Sequence, residues 1–287
     1  MAPQSPTVAR WELSLRLNEW RKQLNIDVDT AAKALKISRN HWWQIMSDRR
    51  ALTNDHFAGM IALFGIDEDE QKVLQELRTV ARDRGWWSEY SALFSDENRR
   101  LFGLEHGAQS IFSYEALLIP GLLQTENYAR AVMASDVARI RPVDAERYIE
   151  ARMRRQQRLT GEDPLQLTVV LSQAALEQQT GGPAVLKEQL RHVAATMRDT
   201  RASVDVRIVP FTATKRPILS GSPFHLIEFE SSVLPTLAWH ESVATHGIIE
   251  DPSRVRELRI IYGRQLDSAL SREDSLALIE STADEIA

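Results

Sequence analysis

Along the first third of the chain, apolar residues recur at helical spacing in five blocks, the last four opened by a residue suited to cap a helix. Leu13, Leu17, Trp20 and Leu24 fall at i, i+4, i+7 and i+11, which predicts a helix over about 8–24 with one buried stripe. Asn25 is placed to end it in the left-handed conformation that asparagine tolerates. Asp27 or Asp29 opens a short second helix with Ala31, Ala32 and Leu35 inward, and the two alanines let another helix cross closely. Ser38 is a natural N-cap for a third, Arg39–Met46, whose inward pair is Trp42 and Ile45. Thr53 opens a fourth carrying Phe57, Ile61 and Phe64. Asp67 with Glu70 has the form of a capping box for a fifth, which carries Val73, Leu74, Leu77 and Val80 and which Gly85 terminates.

Beyond residue 84 the pattern changes. Residues 84–109, through Gly85-Trp86-Trp87, Gly103 and Gly107, read as a connector with aromatic anchors. Residues 114–130 combine an extended apolar approach, a turn at Pro120-Gly121 and a helix; another helix covers about 143–159. Strand-like runs follow at 165–171, 204–211, 224–229 and 237–239, with Gly181-Gly182-Pro183 as a helix-initiating turn. Asp251-Pro252 starts a long helix, and Ser271 with Asp274 caps a last one. The predicted class is α+β: an N-terminal five-helix helix-turn-helix bundle (1–83), a tryptophan-anchored connector (84–110) and a mixed α/β domain with a small sheet (111–287).

Composition narrows the function. A chain of 287 residues, 43% hydrophobic and 26% charged, has room for about two domains and excludes disorder. The lack of cysteine excludes disulfides, thiolate zinc sites and cysteine nucleophiles, and asks nothing of an oxidising compartment. The net charge of −5 is unevenly spread: residues 1–66 carry nine basic against six acidic side chains, and the rest is acidic. A mildly basic N-terminal unit on an acidic body fits phosphate contact at one end. The longest apolar run, 116–123, is broken by Pro120-Gly121, and the N-terminus has no apolar run after a basic start. A cytoplasmic protein without membrane contact is expected.

Residues 8–64 resemble the phage-repressor-like (XRE-type) helix-turn-helix family. The resemblance rests on residues 17–21, Ala32, Leu35, Ile37, Ser38, the Trp42/Ile45 pair, Arg49 and Arg50. The sequence departs from that pattern at Val28 (usually Gln), Lys36 (the turn Gly), Trp43 (a small polar reader) and Met46-Ser47-Asp48 (usually Glu-x-Gly). On such a second helix Arg39, Asn40, Trp43 and Gln44 would face the DNA major groove, where Arg can bind guanine and Asn or Gln adenine. Arg49 and Arg50 suit phosphate contact. The plainer alternative is a solvated polar face with ordinary surface charge. The segments from 111 to 286, preceded by the Gly85-Trp86-Trp87 link, resemble the C-terminal domain of WhiJ-like, antitoxin-like XRE regulators. This resemblance implies a transcriptional regulator that binds double-stranded DNA and whose C-terminal domain recognises a small partner protein, often encoded nearby, or a ligand. It implies no catalytic residue, cofactor or metal. A two-fold operator would suit a homodimer.

In the body, Tyr148, Arg152, Gln156 and Leu159 fall at i, i+4, i+8 and i+11, so Arg152 and Gln156 share an inward face. A partly buried Arg needs a carboxylate or an anionic ligand, and Glu115, just before the Pro-Gly turn, is the candidate internal partner. The candidate partner- or ligand-binding set is Glu115, Gln124, Tyr128, Arg152 and Gln156. Catalytic motifs are missing: His240-Glu241 with His246 has the wrong spacing for a helical zinc pair, Gly181-Gly182-Pro183 lacks the Lys and Ser/Thr of a phosphate loop, and no Gly-x-Ser-x-Gly occurs. His41, His56, His106, His192 and His225 form no ligand spacing. Two other functions stay open: an interaction module without DNA reading, and a repurposed scaffold or enzyme enclosing an aromatic or cationic molecule between the Trp-rich N-terminal domain and the body.

Overall fold

The computed structural model of the chain describes residues 2–47, 52–136, 140–199, 203–214, 222–242 and 245–287. Its class is α+β, with a helical N-terminal part and a six-stranded mixed sheet in the body. The N-terminal bundle is α1 (Pro6–Gln23), α2 (Val28–Ala34), α3 (Arg39–Met46), α4 (Asn54–Phe64) and α5 (Glu68–Ala81). Side chains of Asp27, Ser38 and Thr53 accept the N–H of Thr30, His41 and His56, so each cap closes the helix whose apolar stripe follows it. Leu13, Leu17, Ala31, Trp42, Ile45 and Met60 meet in the bundle core. Leu24 only caps α1 and stays exposed.

Two local expectations change. Asp67 does accept the N–H of Asp69 and Glu70, but the Glu70 carboxylate is drawn to Arg16 of α1 at 3.1 Å. Helix α5 also ends at Ala81, not at Gly85, because Arg82, Asp83 and Arg84 offer nothing to bury on a further turn; Gly85 instead precedes a 3₁₀ turn, Trp86–Tyr90. In the tight turn between α2 and α3, Lys36 adopts φ +55°, as Asn25 does at +54° after α1. A side chain with a β-carbon is strained there. Lys36→Gly is therefore expected to raise the unfolding free energy by up to about 1 kcal/mol in urea denaturation, less the entropy that glycine adds to the unfolded chain.

The stretch read as a connector contains α6 (Asp96–His106), capped by Ser95 and burying Leu101, Phe102 and Leu104. Helix α1 crosses it closely at Gly103, where an added β-carbon would stand 2.1 Å from Thr7 Oγ1. Ser5 Oγ donates to Gly103 O at the same crossing.

The strands are β1 (Ser110–Glu115), β2 (Gln166–Ser172), β3 (Val204–Val209), β4 (Phe224–Glu228), β5 (Leu237–Glu241) and β6 (His246–Ile249), in the order β3-β2-β1-β4-β5-β6. The first three are parallel; β4, β5 and β6 add antiparallel steps beyond β1. The body helices are α7 (Glu126–Ser135), α8 (Ala145–Gln156), α9 (Ala174–Glu177), α10 (Pro183–Arg198), α11 (Pro252–Asp267) and α12 (Arg272–Glu285). One sheet face, with Ile111, Leu167, Val169, Val206 and Ile227, shares a core with residues of α6, α10 and α12; the other, with Tyr114, Val170, Phe224 and Leu226, packs on Val255 and Tyr262 of α11. The β3 edge is covered, since Ile208 N–H donates to Ser275 Oγ and Ile208 O accepts from Leu270 N–H.

Bundle and body meet through α1. Leu13 and Leu17 point into the bundle, whereas Trp11 packs with Leu104, Leu234 and Leu237 and edge-on against Phe229 at 5.4 Å. Among the described residues no helix is long and apolar enough to cross a membrane.

Candidate functional site

The first candidate is the outer side of α3. With Trp42 and Ile45 buried, Arg39, Asn40 and Trp43 stand exposed and Gln44 is half-buried beside them. Trp43 keeps 52% of its surface open to solvent, unusual for so large an apolar side chain. Arg39 Nη1 lies 3.7 Å from Asp29 Oδ2 of α2; both groups are solvated, so this contact holds Arg39 only weakly. Arg49 and Arg50, the expected phosphate contacts, lie outside the described residues.

The second candidate is a recessed polar cleft where β1 ends. Ser113 and Glu115, two apart on β1, point to one sheet face, and His225 stands opposite Ser113 on β4. His225 Nδ1 is 2.9 Å from Ser113 Oγ, and its Nε2 is 4.0 Å from Glu115 Oε1. From the other side, α8 supplies Arg152, Arg155 and Gln156. Arg152 Nη1 donates to Gln124 Oε1 at 2.5 Å, and Gln156 Nε2 donates to the carbonyls of Gly121 and Gln124 at 3.0 and 2.6 Å. Gln124 Nε2 in turn donates to Ile119 O. Arg155 grips Glu105 of α6 with two hydrogen bonds of 2.8 and 2.7 Å.

Burial sets the charges. It pushes the Glu115 carboxyl up to about 8, and the Glu241 charge adds to the effect while Ser113 and Arg152 oppose it. Burial, helped by the Arg155 charge, pushes the His225 imidazole down to about 4. Both are therefore mainly neutral at pH 7, and their 4.0 Å contact is not an ion pair. Arg152 is lowered to about 10 by burial and by Arg155, and remains charged. For Arg155 burial also acts downward, but Glu105 outweighs it and the net shift is upward.

The expected pairing of Glu115 with Arg152 is not formed: among the described residues no ion pair joins them within 4.0 Å. The Pro120-Gly121 turn explains this, because both guanidiniums pack under it, 3.6 Å from where a Gly121 β-carbon would stand, and Gln124 takes the Arg152 donor. Tyr128 is also no surface contact. It is fully buried, and its hydroxyl accepts from Ile119 N–H at 3.4 Å. Gln124, Arg152 and Gln156 thus form one network with Glu115 beside it. Sequence reasoning missed Ser113, His225, Glu105 and Arg155; only Arg155, three residues after Arg152 on the same helix, carried a local signal.

Ser113, His225 and Glu115 superficially resemble a nucleophile, base and orienting acid, but the chemistry does not fit. The serine is 1% exposed, the imidazole is a poor base near neutrality, and the carboxyl is un-ionised. The adjoining cavity of about 20 Å³, bounded by Glu105, Ser113, Gly121, Arg155 and His225, has room for one water. What the cleft offers is hydrogen-bond donors and one recessed positive charge, Arg152, held by a neutral amide.

The tryptophans do not converge on one enclosure. Trp42 is in the bundle core, Trp11 at the junction with the body, Trp86 and Trp87 by α6, and Trp239 in the sheet core. Trp86 does border an open hollow of about 410 Å³ with Arg154 and Arg158, yet Arg154 is held by Glu89 and Arg158 by three carbonyls. His240 and Glu241, adjacent on β5, face opposite sides, and no group of three His, Asp or Glu among the described residues could hold a metal.

A family profile described as a domain of unknown function, DUF5753, matches residues 98–281, from within α6 to within α12. No curated protein and no solved structure matches the chain. The match spans well over half of the sequence and contains every residue of the recessed cleft, and so the protein belongs to the DUF5753 family.

Proposed function

We propose that this protein is a DNA-binding transcriptional regulator of the XRE type, in which α2 and α3 act as the helix-turn-helix and the DUF5753 domain, WhiJ-like in its segment order, receives a small partner protein or ligand. The observation that carries the reading is α3: a Ser38-capped helix anchored by Trp42 and Ile45, with Arg39, Asn40 and Gln44 on its open side. Those side chains have the donor and acceptor geometry to read guanine and adenine edges. The basic balance of the first 66 residues supports phosphate contact at this end. A two-fold site would suit a homodimer, and the absence of cysteine fits a cytoplasmic location.

Replacing Arg39, Asn40 or Gln44 by Ala is expected to cost about 1–3 kcal/mol on the cognate site and to relax specificity there. Arg49→Ala or Arg50→Ala should weaken all sequences alike and flatten the salt dependence. Fluorescence anisotropy over a salt series, on duplexes selected from a random pool, measures both. If no sequence is enriched, the regulator reading fails. The second reading, a bundle that contacts protein rather than DNA, is favoured by Trp43, an exposed apolar side chain in the middle of the α3 face.

A further inference from the structure

A groove of about 370 Å³ runs between bundle and body. Its apolar wall is formed by Val8 of α1, Val73, Leu77 and Val80 of α5, and Phe229 and Leu234 from the segment joining β4 to β5. Val73, Leu77 and Val80 stand at i, i+4 and i+7, an apolar row along α5 that is only partly covered, whereas Leu74 of the same helix is fully buried in the bundle. The charged residues lining the groove are Glu12, Glu76 and Glu230, without a Lys or Arg. Glu12 is held by Arg16 and Ser231, but Glu76 and Glu230 are exposed and take part in no ion pair among the described residues.

We propose that this groove docks an amphipathic helix with lysine or arginine on its polar flanks. An apolar row at helical spacing receives the apolar face of another helix, and the free carboxylates on the rim select positive flanks and reject negative ones. A helix is favoured over an extended strand because helix faces, residues 2–5 leading into α1 and the loop between β4 and β5, none of them a strand edge, form the walls. Because the walls belong to both bundle and body, the occupant bridges them. The inference rests on the reading of the chain as a protein with a protein partner, and supplies that partner's chemistry.

The test uses the full chain and a labelled synthetic 18-residue peptide with Leu on one helical face and Lys on the other, followed by fluorescence anisotropy. Saturable one-to-one binding is expected, at least tenfold tighter than for a scrambled peptide of the same composition or a version with Glu for Lys. Glu76→Lys/Glu230→Lys, and separately Val73→Asp, should each weaken it tenfold or more. Glu273→Lys/Glu285→Lys on α12, with the same net charge change, should bind like the parent. If the scrambled peptide binds as tightly, or the groove variants bind unchanged, the proposal is overturned. Should a groove variant misfold, photo-crosslinking of the peptide to the unmodified chain decides: crosslinks on Val8, on Val73, Leu77 or Val80, or on Phe229 or Leu234 support the groove, and crosslinks confined elsewhere overturn it. Enrichment of a DNA site without peptide binding would sink the groove alone, and peptide binding without enrichment would sink DNA reading alone.

Discussion

Arg155→Met is expected to lower the unfolding free energy by about 3–5 kcal/mol, since it leaves a nearly buried carboxylate without its partner. Glu105 and Arg155 keep only 5% and 14% of their side-chain surface, and the paired 2.8 and 2.7 Å bonds leave little for water to replace. The guanidinium also lies 4.8 Å from the Phe102 ring centre, so packing is lost with the charge. Glu105→Gln should cost less, because the amide oxygen still accepts one of the two bonds. Arg155→Met combined with Glu105→Leu removes both charges, and its loss should fall well short of the two single losses added together. Urea denaturation of the set measures this. Single losses below about 1 kcal/mol that add would mean that the pair is screened by solvent and does not tie α8 to α6.

The second large effect is on pH dependence. Folded Glu115 titrates near 8 against an ordinary value of 4.5, so between these values the native state holds a proton that the unfolded chain has released. Stability therefore falls as pH rises through that window, by about 1.4 kcal/mol per pH unit at most. His225 works the other way: it titrates near 4 when folded against 6.5 ordinarily, so stability rises with pH from 4 to 6.5. The two slopes oppose each other below pH 6.5. Above it Glu115 acts alone, and its contribution drops by about 2 kcal/mol by pH 8. Glu115→Gln should abolish that drop while keeping the acid-side rise from His225. His225→Gln should instead remove its share of the acid-side rise, leaving only what His106 and His192, also lowered by burial, set against the fall from Glu115. Urea denaturation at half-unit pH steps separates these curves; an unchanged slope between pH 6.5 and 8 in Glu115→Gln would show that its carboxyl is not held neutral.

What could be read from the sequence was whatever is decided within a few residues. The caps at Asp27, Ser38, Thr53, Asp67, Asp251 and Ser271 each sit one position before their helices, and the inward Trp42/Ile45 pair follows from spacing alone. Strand β1 was hidden because its polar Ser110, Ser113 and Glu115 break any apolar alternation although the strand lies in the middle of the sheet. Helix α6 was hidden by glycines that serve the crossing of α1 rather than a loop. In the cleft, the inward placement of Arg152 and Gln156 was legible from helix spacing. Which carboxylate meets which guanidinium was not, because Glu105 reaches Arg155 across 50 residues. The rule that a buried Arg needs a carboxylate holds for Arg155, three residues beyond Arg152 on the same helix.

Helix α1 contributes Leu17 to one core and Trp11 to another, so it is common property of two units that would otherwise be separable. Interchange of parts is restricted as a result. A bundle grafted from a different chain would need its own bulky residue facing Phe229 and a helix able to pass over Gly103 and Gly107 at close range. A change in either half at this crossing thus needs a matching change in the other, with the Trp11 contact limiting how far either can be altered alone.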